Sequence, residues 1–169
     1  ERPHGALMQQ PPRAASERLL SWPVLARAYL WLGLLQAAAA LAAFFIVLHT
    51  GGWQYGQVLQ APDPLYLQAT TACLAAIVVA QVVNVFACRH PQVSMFRLGL
   101  LSNPLLLAGV ATEILLLFAI VYTPLGNAAF GTAPFAAATW APLVGFAIVF
   151  GLLEELRKAV LRRRRKSAG

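Results

Sequence analysis

Apolar residues dominate four stretches of the chain, centred near Phe44, Ile77, Glu113 and Phe146, and polar or turn-forming residues collect between them. Each stretch is close to the length of about 20 residues that a helix needs to cross a hydrocarbon core of about 30 Å. The pattern predicts spans over 28–48, 67–87, 104–122 and 136–153. Gly51-Gly52 ends the first, and Asn103-Pro104 begins the third as a cap with proline in the first turn. Ala37, Ala40 and Ala43 form a small-residue face suited to close helix packing in the first span. Pro142, Gly145 and Gly151 predict a bend in the fourth.

The segments between the spans alternate in charge. The lead-in, 1–27, carries Arg2, Arg13, Arg18 and Arg27, and its stretch Ser16–Trp22 is expected to begin a short interfacial helix with Trp22 at headgroup level. The loop 49–66 has no Lys or Arg, the loop 88–103 has Arg89 and Arg97, and 123–135 is uncharged. The tail, 154–169, ends in Arg162-Arg163-Arg164-Arg165-Lys166. Basic loops stay on the cytoplasmic side, so both ends of the chain are expected there. The fold expected is all-α, an integral membrane four-helix bundle. Beyond the last span, Glu154 and Lys158 are expected to pair at i,i+4 on a helix continuing into water.

Composition agrees with a membrane protein: 59% of the 169 residues are hydrophobic, 11% are charged, and the mean hydropathy is +0.66. A soluble domain carries about 25% charged residues. The net charge of +7 is concentrated beside the spans without interleaved aromatics, which points to topogenic and lipid-facing roles and away from nucleic acid. A start at Glu1, with no signal-peptide pattern after it, predicts a fragment or a processed product.

Candidate chemistry is sparse. Cys73 and Cys88 lie 15 positions apart on one predicted helix, about 22 Å at 1.5 Å per residue, too far for a disulfide. Neither joins His4, His49 or His90 in a ligand pattern, so no Cys/His metal site is expected. Phosphate-binding glycine loops, nucleophile elbows and paired loop carboxylates are absent from the sequence, which predicts no catalytic residue. Two intramembrane features remain. Glu113 lies mid-span, where a charge costs about 2.5–3.5 kcal/mol; it is either an ion or proton site or a neutral carboxyl bonded to a neighbouring helix, with Thr112 close by. Gln81 and Asn84, at i,i+3 on the second span, offer either carbonyl oxygens to a cation or amide bonds to another helix.

Gln81 to Arg89 resembles the eighth membrane helix of cation-transporting P-type ATPases of the calcium-pump type. Further matches follow in order: Gly99–Asn103 before the ninth helix, Ile120–Pro124 after it, Phe130–Pro134, and Leu153–Lys158 at the end of the tenth. Met8–Arg13 with Glu17–Leu20 is similar to the loop before the seventh helix.

The resemblance implies the last four helices of such a pump. It places Gln81 where calcium pumps carry a cation-coordinating glutamate, with Asn84 one turn on. Gln removes a negative charge, which argues against a complete two-calcium site and leaves open a single cation or a different one, such as sodium, a proton or magnesium. The phosphorylated aspartate of the DKTGT sequence, with the ATP- and Mg-binding domains, is expected upstream, and this chain is expected to carry no cofactor. Its partners would be lipids, the upstream helices and cytoplasmic domains, and the transported cation. Its membrane, judged by the alanine-rich composition, would be a bacterial plasma membrane. The alternative is a free-standing four-helix transporter or accessory subunit using Glu113. The basic tail, Arg162 to Lys166, is expected to face lipid either as a topology signal or as an anionic-lipid site.

Overall fold

The computed structural model describes residues 21–60, 63–91 and 93–167, with side chains up to Arg164. The interfacial-helix stretch before Ser21, the resemblance at Met8–Leu20, and the side chains of Arg165 and Lys166 lie outside the described residues.

The chain divides into two units, Glu1–Leu34 and Leu35–Gly169. In the first, helix α1 (Trp22–Ala26) starts with Pro23 in its opening turn and passes into a π-helical stretch, Arg27–Gly33. The second unit holds nearly all of α2 (Leu34–Thr50), then α3 (Pro64–Cys88), the short α4 (Met95–Leu98), α5 (Pro104–Tyr122), α6 (Pro124–Phe130) and α7 (Trp140–Ser167). Four helices are long and apolar enough to cross a membrane: Trp22–Thr50, Pro64–Cys88, Pro104–Tyr122 and Ala137–Arg164. The all-helical architecture is the one expected.

Local chemistry sets the helix starts. Asp63 and Asn103 accept hydrogen bonds from Leu65 N (2.8 Å) and Leu106 N (3.1 Å), capping α3 and α5, and each cap is followed by proline. The Asn103-Pro104 start is as the sequence predicts.

Helix α3 forms the middle of the second unit, packing on α7 and α5. Its inward face is a run of small residues, Ala69, Ala72, Ala76, Ala80 and Ala87, all buried, which lets neighbouring helices approach closely. On α2, Ala40 and Ala43 are buried, but Ala37 is exposed. The packing face turns instead through Ala40, Ala43 and Val47, the i, i+3, i+7 positions of a 3.6-residue helix. Gly151 brings α7 onto α3: a Cβ there would lie 3.0 Å from Val83 Cγ1.

At the end of the bundle away from the basic tail, Phe118, Tyr122, Phe135 and Trp140 form an aromatic cluster. Trp140 Nε1 donates to the Tyr122 hydroxyl at 2.7 Å. Such a cluster suits a membrane interface, where a ring is half apolar and half wet.

Candidate functional site

The two amides of α3 meet each other. Asn84 Nδ2 donates to Gln81 Oε1 at 3.1 Å, and Cys88 Sγ donates to Asn84 Oδ1 at 3.2 Å. Ile77, Gln81, Asn84, Val85 and Cys88 follow one stripe of α3, beside that of the buried alanines; Ile77, Val85 and Cys88 are exposed and the amides half-buried. Gln36 of α2 reaches the same level, its Nε2 donating to Ile77 O at 3.2 Å. Each Gln81 or Asn84 oxygen has two lone pairs, and the described bonds use one. The stripe therefore keeps acceptor capacity.

Glu113 is elsewhere. With Thr112, Gly109, Leu116, Leu117 and Ile120 of α5 and Leu74 and Val78 of α3, it borders an apolar groove of about 380 Å³. Thr112 does not serve its carboxyl, because its Oγ1 donates to Ala108 O at 2.9 Å, the usual recourse of a threonine inside a helix. Among the described residues nothing donates to the Glu113 carboxyl. Glu113→Leu is accordingly expected to hold or raise the thermal midpoint of the purified protein; a drop of several degrees would reveal a bond to the carboxyl.

A third polar cluster lies where α7 meets the α3–α5 loop, and it corrects the sequence expectation. Glu154 and Lys158 do not form a solvated i,i+4 pair: both are fully buried. Glu154 takes a two-pronged contact from Arg157, at 2.8 Å from Nε and 2.6 Å from Nη2. Lys158 Nζ donates to Ala87 O (2.8 Å), Val93 O (3.2 Å) and Glu155 Oε1 (3.4 Å). Glu155 Oε1 also accepts from Met95 N at 3.0 Å, and Arg157 Nη2 reaches Pro91 O at 3.4 Å. The cause is rotational register. The α7 stripe that buries Leu143, Ala147, Phe150 and Gly151 continues through Glu154 and Lys158, and α3 and its loop lie against it. The ammonium holds the Ala87 carbonyl at the end of α3, where the helix dipole favours a cation, and ties it to the Val93 carbonyl of the loop.

Arg89 completes this end, donating to Gly99 O and Ser102 Oγ at 2.8 Å each. Two stretches singled out in the sequence, Gln81–Arg89 and Gly99–Asn103, are thus joined by hydrogen bonds. Val93 and Met95 carry no pattern that marks them, since their part is set by the side chains of Lys158 and Glu155 some 60 residues away.

Among the described residues, no three His, Cys, Asp or Glu side chains converge to hold a metal ion. Cys73 and Cys88 are unbridged.

A family model described as "Cation transporting ATPase, C-terminus" matches residues 1–160. The chain is 29% identical over 153 residues to the calcium-transporting ATPase of Bacillus subtilis (strain 168), an alignment covering 88% of the chain and 15% of that protein. It is 31% identical over 134 residues to the "Probable cation-transporting ATPase F" of Mycobacterium tuberculosis (strain ATCC 25618 / H37Rv), covering 79% and 13%. Against the sodium/potassium-transporting ATPase subunit alpha of Drosophila melanogaster, identity is 26% over 182 residues, covering 93% and 17%. The chain spans less than a fifth of the length of these relatives.

Proposed function

The chain belongs to the cation-transporting ATPase C-terminal family, and we propose that it is the closing four-helix membrane module of an ATP-driven cation pump, with Gln81 and Asn84 at or beside the ion's path. The family match over residues 1–160, on a chain with four membrane-length helices, carries this reading. ATP and magnesium would be bound by other domains of the same protein, and the phosphorylated aspartate would lie there too. Both ends of the module would face the cytoplasm, because the basic loop and tail gather at one end.

The role of the amides is supported by their placement. They lie on the stripe of α3 that this chain leaves partly uncovered, where other helices of a larger protein can pack. A Gln81 oxygen that already accepts from Asn84 can still coordinate a cation through its second lone pair.

Two measurements test the proposal. The chain expressed alone should show no ATP hydrolysis above background, and robust turnover would defeat the module reading. In the intact protein, Gln81→Leu with Asn84→Leu should raise the cation concentration for half-maximal ATPase stimulation by about tenfold, the worth of about 1.4 kcal/mol, with maximal rate retained. An unchanged concentration would leave the amides as helix-packing groups only.

A further inference from the structure

The depth of α7 in the bilayer follows from its length and exposed face. Trp140 belongs to the aromatic cluster at one interface. Leu153, the last residue of the span drawn from hydropathy, is 13 rises further along α7, about 20 Å, which falls short of a core of about 30 Å. Val160 is 20 rises along, about 30 Å, or about 28 Å with the usual tilt of about 20°.

The exposed face agrees with the longer measure. Ile148 (56%), Leu152 (58%), Leu156 (61%) and Val160 (41%) are exposed at successive i+4 positions. The outward stripe therefore stays apolar past the level at which the inward stripe turns to Glu154 and Lys158. At the next steps of the same helix come Arg162, half-buried, and Arg163 and Arg164, both exposed. They lie about 3–6 Å beyond Val160, within the headgroup layer of about 5–8 Å on each side of the core.

We propose that Arg163 and Arg164, at the end of this lipid-facing stripe, form a binding site for anionic phospholipid headgroups. A guanidinium presents paired donors to a phosphate, and the apolar stripe beside it accommodates the acyl chains. The site goes beyond the pump reading and does not depend on it.

The test is a lipid titration of the intact protein, purified in a mild detergent, with phosphatidylglycerol, phosphatidylcholine or inorganic phosphate, read by native mass spectrometry. Phosphatidylglycerol should bind more tightly than phosphatidylcholine, by a margin that shrinks as ionic strength rises. Arg163→Gln with Arg164→Gln should weaken phosphatidylglycerol binding by about 30-fold, the factor expected for two basic side chains at a charged surface. Arg163→Lys with Arg164→Lys should keep most of it, and an unchanged circular dichroism spectrum for each variant excludes unfolding. The proposal fails if the Gln variant binds phosphatidylglycerol as the parent does, if the two lipids bind equally, or if excess inorganic phosphate displaces the lipid completely.

Discussion

Lys158→Met is expected to lower the thermal midpoint of the purified protein by about 6–12 °C, the largest loss from any single truncation in the segment Glu154–Lys158. The methionine keeps the length and apolar body of the side chain, so the fully buried channel beside α3 remains filled. What disappears is the ammonium, and with it the donors to Ala87 O, Val93 O and Glu155. The bonds to the two carbonyls, at about 1.5 kcal/mol each, give about 3 kcal/mol, the 3.4 Å contact to Glu155 being too long to add much, and a chain of this size loses about 2–4 °C per kcal/mol. The loss is local: Glu154 keeps Arg157, and Arg89 keeps Gly99 and Ser102. Lys158→Arg should recover only part of it, because a planar guanidinium does not fit a pocket built around a tetrahedral ammonium. A midpoint within about 1 °C of the parent for Lys158→Met would show that the α3–α5 loop is held by packing alone.

That buried lysine also marks the boundary of what the sequence discloses. Hydropathy reports how apolar a stretch is, and four membrane-length helices followed from it directly. Caps depend on neighbours in the chain, so Asn103 before Pro104 was legible as well. Rotation about the helix axis is not local. Residue size singles out Ala37, Ala40 and Ala43 on α2, but tertiary packing turns Ala37 outward and Val47 inward. The same blindness made Glu154 and Lys158 look solvated: their charges suggest water, while their register continues the buried stripe of α7. Gln81 and Asn84 were legible as two amides on one face, and their mutual hydrogen bond follows from the i,i+3 spacing. The register of Val93 and Met95 against α7 had no sequence signal, because it is set by the fold, whereas the bond from Thr112 to Ala108 O is the local i−4 bond open to a threonine inside any helix.

The second large effect is expected at Gly126. Helix α6 doubles back on the last turn of α5 after Thr123, whose hydroxyl donates to Ala119 O at 2.6 Å and accepts from Gly126 N at 3.0 Å. A Cβ on Gly126 would collide with Ala119 O and would lie 2.7 Å from Ile120 Cα and 3.0 Å from Ala119 C, all of them backbone atoms. No side chain is available to swing aside, so α6 would have to lift from α5. Asn127, the next residue, would leave with it. Its Nδ2 serves Ile120 O, Val121 O and Thr132 Oγ1 at 3.0 Å each, and the segment beyond Thr132 is tied to α3 through Ala133 N and Thr71 Oγ1. Gly126→Ala should therefore cost about 3 kcal/mol, the upper end of ordinary overpacking. Two other glycines calibrate the measurement. Gly131, at φ +62°, has open space around it, so Gly131→Ala should show only the left-handed backbone cost of about 1–2 kcal/mol. Gly109, with open space in the middle of α5, should tolerate alanine without loss. If Gly126→Ala melts with Gly109→Ala rather than below Gly131→Ala, the fold-back of α6 does not constrain the α5–α7 connection.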